Sequence, residues 1–164
     1  MTTAIRVCAS GELWVGGGVG SLQTALHEAV QSATDEIVIS CFSVTSGAQP
    51  LVTELHAALR RGILVRMIVN RLAQQAPSAV SELKRLATEY PHFELWDFVG
   101  EEGSDLHAKV LCVDRQLAVL GSSNLSFRGL VTSYELGVVV TGPPAQTIAE
   151  RIGTLLSTPL VTRV

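Results

Sequence analysis

The sequence predicts an α/β domain of three layers, with helices on both faces of a mixed central sheet. Three observations predict it. Short β-branched runs alternate with amphipathic helical stretches along the 164 residues. Apolar residues make up 47% of the chain and charged residues only 16%, so there is enough apolar side chain to cover two sheet faces. No repeat, low-complexity tract or linker interrupts the pattern, and the length suits one domain over 1–164. The same composition excludes a disordered chain, a collagen-like repeat and a coiled coil.

Each element has its own signal. After Gly16, Gly17, Gly18 and Gly20, Ser21 is placed to cap a helix whose apolar face is Leu22, Ala25, Leu26, Ala29 and Val30. EIVISCFSV is β-branched and too short for a helix, so it reads as a buried strand. Pro50 opens a helix with Leu51, Leu55, Ala58 and Leu59 inward, and Gly62 ends it. LVRMIVN is a second strand, and a third helix runs from Ser78 to about Glu89, closed by Tyr90-Pro91. HFELWDFV is a third strand, followed by VGEEGSD as a polar, mobile loop. HAKVLCVD and LAVLGS read as two strands joined by a tight turn at Asp114-Arg115-Gln116. Tyr134 to Val140 is the sixth strand, and Gly142-Pro143-Pro144 introduces a last helix to about Leu156.

Charge and cysteine usage narrow the setting. The formal net charge of −3 is opposite in sign to that of a general nucleic-acid coat, so any phosphate site must be local. Cys8, Cys41 and Cys112 are odd in number and form no C-x-x-C pair, which suggests neither a zinc site nor a disulfide framework. No apolar run approaches a membrane span and the N-terminus shows no secretory pattern. The expectation is a reduced, cytoplasmic protein without integral membrane association.

The chemistry concentrates between Asp105 and Glu135. His107-Ala108-Lys109 is followed after four residues by Asp114, then by Gly121-Ser122-Ser123-Asn124 and by Glu135. On an extended segment His107 and Lys109 project to one side and Val110 and Cys112 to the other. An imidazole beside an ammonium on a buried sheet needs an anion, supplied by Glu135 alone or by Glu135 with a bound phosphate. Ser122, Ser123 and Asn124 add hydroxyl, amide and backbone donors. The set suits a phosphoryl group held by neutral and cationic donors, with no carboxylate cluster for a divalent metal.

H-x-K-x4-D followed by G-S-x-N resembles the signature of the phospholipase D superfamily. His107, Lys109 and Asp114 fill the first element; Gly121, Ser122 and Asn124 fill the second; Glu135 stands where the family carries a downstream acidic residue. One position departs: Ser133 stands where members often have Asn. The motif occurs once, and single-copy members resemble a group of nucleases that form a homodimer with the site across the two-fold. The resemblance implies a metal-independent phosphodiesterase, without cofactor, that cleaves DNA or RNA. One His107 forms a phosphohistidine and the other protonates the leaving oxygen, then activates water. Lys109 and Asn124 hold the non-bridging oxygens, Glu135 accepts a hydrogen bond from Nδ1 of the nucleophile, and Asp114 supports the site. The alternatives are a lipid-active phospholipase or phosphatidyltransferase, a nuclease subunit of a restriction or defence assembly that needs a partner, and a non-enzymatic phosphate-binding scaffold, which the intact His107, Lys109, Asn124 and Glu135 set argues against.

Other residues have plainer readings. His27, His56 and His92 lack patterned partners and read as structural. Gly16 to Ser21 lacks the G-K-[ST] ending of a phosphate loop and reads as a flexible loop with a helix cap. Arg60, Arg61 and Arg66 read as solvated surface. Arg71 and Arg128 read equally as surface or as contacts to a substrate groove. Trp14, Tyr134 and Trp96 are core residues or stacking platforms.

Overall fold

In the computed structural model, which describes residues 2–164, the β-branched runs form strands and the periodic stretches form helices close to the predicted boundaries. The first half contains β1 (Ala4–Ala9), β2 (Gly20–Ser21), α1 (Leu22–Ser32), β3 (Glu36–Cys41), α2 (Gln49–Arg60), β4 (Leu64–Asn70) and α3 (Pro77–Glu89). The second half contains β5 (Phe93–Phe98), β6 (Val110–Val113), β7 (Leu117–Gly121), β8 (Leu136–Thr141), α4 (Pro143–Leu155) and β9 (Val161–Arg163). The strands form one nine-stranded sheet in the order β2-β1-β8-β7-β6-β3-β4-β5-β9. Neighbours β3, β4 and β5 are parallel, whereas β6, β7, β8 and β1 alternate in direction, so the sheet is mixed as predicted.

The two faces have separate cores. Ile37, Ile39, Val65, Met67, Leu111 and Val119 point to α1, α2 and α3, whose buried faces carry Leu26, Leu55, Leu59, Leu83 and Leu86. Val38, Ile68, Cys112 and Ala118 point the other way, to Ala145, Ala149 and Ile152 of α4. The caps follow sequence. Ser21 accepts from the Thr24 backbone N–H at 3.0 Å, and Pro stands at the N-terminus of α2, α3 and α4. All three cysteines are buried and free.

Several readings need correction. Three strands are added to the predicted six: β1, β2 and β9 lie on or near the sheet edges, where the alternation of AIRVCA and VTR is too short or too polar to register. β1 is nevertheless long enough to pair along the whole of β8. The strand read from His107 begins only at Val110, and the one read from Tyr134 begins at Leu136. Arg66 is not a free surface cation, since it pairs with Glu36 at 3.0 Å and Glu94 at 3.1 Å. Arg61 donates to the Val30 and Ala33 carbonyls at 3.2 and 3.4 Å, closing the C-terminus of α1. The remaining histidines have structural partners: His27 meets Glu54, His56 meets Glu89 and Tyr90, and His92 meets the Leu59 carbonyl.

The topology gathers one set of strand ends. The pairings Ser40 with Val110, Val110 with Leu120, and Gly121 with Gly137 bring the ends of β3 and β7 beside the starts of β6 and β8. The ends of β4, β5 and β1 lie at the same edge, because β4 and β5 run with β3 while β1 runs against β8. Loops on this edge carry the predicted chemistry.

Candidate active site

His107 and Lys109 stand in the extended segment that enters β6, and two contacts seat its backbone: Ser40 Oγ donates to the Ala108 carbonyl at 3.0 Å, and the Gly121 N–H donates to the Lys109 carbonyl at 3.3 Å. Alternation then points His107 and Lys109 the same way, with Val110 and Cys112 on the α4 side. Lys109 Nζ donates to the His107 carbonyl at 2.8 Å and stands 3.2 Å from His107 Nδ1. His107 is exposed, whereas partial burial lowers the Lys109 pKa against the opposing attraction of Cys41 and Glu135.

The end of β7 and the start of β8 supply the rest. Ser122 Oγ donates to Glu135 Oε2, and the Ser122 N–H donates to the Leu136 carbonyl at 3.1 Å. Asn124 follows in the loop, its amide oxygen buried and without a hydrogen-bond partner among the described residues. Ser133 contributes its carbonyl, which accepts from Ser10 Oγ at 2.7 Å. His107, Lys109, Ser122, Asn124 and Glu135 are therefore brought to one rim. The Glu135 carboxylate meets Ser122 and not His107, so the expected hydrogen bond to Nδ1 is not formed within one chain.

Other predicted site residues are placed differently. Asp114 lies at the far end of β6, on the order of 20 Å of extended chain from His107. Its carboxylate accepts from the N–H groups of Thr34, Asp35 and Glu36 and from the Thr34 hydroxyl, all at 2.9 Å. Asp114 is thus a staple between the β6–β7 turn and the start of β3, and it does not reach the site. Ser123 is buried and turns inward to the Asn124 carbonyl at 2.9 Å, away from a substrate. Arg71 is held by Asp105 at 2.9 Å and by the Ser104 carbonyl at 3.1 Å. Arg128 is exposed, with no ion pair among the described residues.

Four positioning residues escaped the sequence reading. The Phe42 ring packs on the His107 imidazole, with centroids 4.3 Å apart, and Lys109 Nζ lies 5.0 Å from the same ring. Gln75 holds the Phe42 carbonyl at 3.2 Å, the Asn70 carbonyl at 2.6 Å and the Val44 N–H at 3.0 Å. Buried Asn70 accepts from the Leu106 N–H at 2.9 Å and donates to Asp105 at 3.2 Å, which fixes the chain one residue before His107. Hydrogen bonds from Arg71 and Asn70 hold the Asp105 carboxyl below its ordinary pKa. None of the four belongs to a local motif. The one available signal was the polar Asn70-Arg71 pair ending an apolar strand.

Among the described residues, no group of three or more His, Cys, Asp or Glu is arranged to hold a metal ion. Among the same residues, no helix is long and apolar enough to cross a membrane. What the rim can do is receive a phosphate: an imidazole nitrogen for attack, an ammonium and an amide for its oxygens, and a carboxylate to orient an imidazole.

Known proteins share the family profile and the fold. The family profile described as "Cardiolipin synthase, PLD-like domain" matches residues 26–155. Cardiolipin synthase A of Proteus mirabilis is 34% identical over 125 residues, covering 73% of this chain and 24% of that protein. DISARM protein DrmC of Bacillus paralicheniformis is 27% identical over 118 residues, covering 71% of this chain and 48% of that protein. The chain therefore spans about half or less of these relatives' length. The same fold is seen in Nuc of Salmonella typhimurium, a phospholipase D family member, with a TM-score of 0.80, 20% identity and 99% of both chains covered. NucT of Helicobacter pylori gives a TM-score of 0.81 at 15% identity, with 99% of this chain and 100% of that one covered.

Proposed function

The chain belongs to the phospholipase D superfamily, through its PLD-like domain, and on that premise we propose that it is a nuclease whose active site is completed by a second copy of the chain. One observation carries the reading: His107 is the single histidine at a rim built for a phosphate, and the other three are engaged elsewhere in the fold. The two-step reaction needs two imidazoles. In the first step His107 attacks phosphorus, the N–P bond forms, and the P–O bond to the leaving group breaks as the second copy's His107 gives that oxygen a proton. In the second step the now neutral imidazole takes a proton from water, the new O–P bond forms and N–P breaks. Lys109 and Asn124 offset the charge on the non-bridging oxygens. Glu135, which meets Ser122 and not its own chain's His107, orients the second copy's imidazole in this reading.

The surface beside the site supports this arrangement. Val7, Val138, Leu120 and Val110 pair in register to form an apolar row across four strands. α4 covers this row only in part: Val110 and Leu120 are half-buried against its core, whereas Val7 and Leu136 are 47% and 52% exposed. The row lines a shallow depression of about 710 Å³ that also holds His107, Lys109 and Ser122. A second copy seated there removes the apolar surface from water and brings the two His107 side chains together.

The test is cleavage of labelled single- and double-stranded DNA and RNA in EDTA by wild type and by His107→Ala, with phosphatidylglycerol vesicles in parallel. We expect nucleic-acid cleavage by wild type alone. Phospholipid turnover without nucleic-acid cleavage would overturn the reading. The likeness to DISARM protein DrmC supports a second one, a nuclease subunit of a defence assembly. Cleavage only in the presence of a partner protein would select it.

A further inference from the structure

Two large aromatic side chains stand beside the rim, each partly open to solvent. Trp14 is 43% exposed and Tyr134 is 49% exposed, and their rings meet edge to face with centroids 5.2 Å apart at 74°. The pair is built into the fold. Gly11, at φ +87°, lies under the Tyr134 ring, where a Cβ would come within 2.6 Å of Cδ1. The Trp14 N–H donates to the Gly11 carbonyl at 3.1 Å, and the Gly11 N–H donates to the Val131 carbonyl at 3.1 Å. Ser10 ties its N–H to the Glu135 carbonyl at 3.0 Å and its Oγ to the Ser133 carbonyl at 2.7 Å, so Tyr134 is clamped on both sides in sequence. Tyr134 precedes Glu135 directly, which puts the platform beside the phosphate-binding rim. Phe127, 58% exposed, and unpaired Arg128 continue that rim beyond Asn124.

We propose that Trp14 and Tyr134 form a stacking subsite for an unpaired nucleobase next to the scissile phosphate, which makes single-stranded nucleic acid the preferred substrate. The proposal rests on the nuclease reading. The charge census points to stacking as the source of affinity. Arg6, Arg66, Arg71, Arg85, Arg115 and Arg163 are paired with carboxylates, Arg61 is held by backbone carbonyls, and Arg60, Lys84 and Arg151 stand on helices, which leaves Lys109 and Arg128 as the cations of the segments that carry the site. Phosphate neutralisation by so few charges is weak, whereas an aromatic face accepts any base and needs no cation. Bases in a duplex are stacked on one another and cannot lie on a side chain. In a two-fold dimer the platform repeats on either side of the shared phosphate and engages the strand in both directions.

The test is binding of a ten-residue oligothymidylate, compared with an abasic phosphodiester strand of equal length, by His107→Asn protein. We expect the oligothymidylate to bind more tightly. Trp14→Ala and Tyr134→Ala should each weaken its binding about 5- to 150-fold, from a stacking contribution of ~1–3 kcal/mol per base. Binding of the abasic strand should change less than about twofold, and Trp14→Phe and Tyr134→Phe should restore most of the loss. Equal binding of the two strands by the parent protein overturns the proposal, as does an equal loss of both in the alanine variants. Vesicle binding that depends on the same two residues, or a monomeric state in the alanine variants, would reassign the surface to a membrane or to the second copy. Binding and cleavage of no nucleic acid at all would remove the nuclease reading with it. Cleavage that ignores both substitutions would remove the platform alone.

Discussion

Phe42 is the residue whose role depends most on where it sits. Its ring lies against the His107 imidazole and near the Lys109 ammonium, so it limits the rotamers of both reacting groups. Phe42→Leu keeps apolar bulk but loses the flat surface. We expect kcat to fall about tenfold, equivalent to ~1.4 kcal/mol of lost positioning, with KM within about twofold, while Phe42→Tyr stays near wild type. Steady-state kinetics on one oligonucleotide check the split, and a loss confined to KM would count against a positioning role. The proposed pair of His107 side chains would have its own signature: one must act as a base and the other as an acid in the same step, which predicts a bell-shaped dependence of rate on pH. Activity should survive EDTA, since side chains carry every proposed charge-stabilising role.

At the scale of elements, two joints set the site's frame. Asp114 staples the β6–β7 turn to the residues entering β3, and both Asp114 and Arg115 have positive φ, the mark of a type I′ turn. Burial by itself would raise the Asp114 pKa. The hydrogen bonds from the backbone of Glu36, Thr34 and Asp35 and from the Thr34 hydroxyl outweigh it and hold the carboxyl below its ordinary value. A carboxyl depressed in the folded state adds stability above its unfolded pKa of ~3.9, and that increment is lost as pH falls through the folded value. Asp114→Ala should therefore cost about 2 kcal/mol at neutral pH, and less as the pH drops from about 5 to 2. Urea melts across that range measure both. The second joint is Asn70, whose amide satisfies the Leu106 N–H and the Asp105 carboxylate ahead of His107. Asn70→Ala leaves that buried N–H unpaired and should destabilise the fold by about 1–3 kcal/mol. Activity should fall further than the unfolded fraction accounts for, read by kcat below the melting transition.

At the scale of the whole molecule, the partly covered row Val7, Val138, Leu120 and Val110 is the surface through which the proposed dimer would couple assembly to chemistry. Val7→Glu places a charge at a position already 47% exposed, so a folded monomer should survive it. The dimer should be lost, because the charge would be buried unpaired at the interface. Sedimentation and cleavage measured together test this: monomer and inactivity should appear in parallel, and a fully active monomer would rule out a shared site.

Local pattern made most of this protein legible in its sequence. The cap at Ser21, the proline-led helices and the β-branched central strands follow from residue preference and period, which act over a few neighbours. The H-x-K and G-S-x-N segments were legible because each lies within a few residues of chain, and the topology brings the two together at adjacent strand ends. Tertiary structure decided what depends on contacts between distant residues. It drew Asp114 away to Thr34 and Glu36, committed Arg71 to Asp105, turned Ser123 inward, set Phe42 under His107 and left Trp14 and Tyr134 in solvent. Each is a hydrogen bond, a packing contact or an exposure whose partner is chosen by strand order, and strand order is not written in any short stretch of sequence.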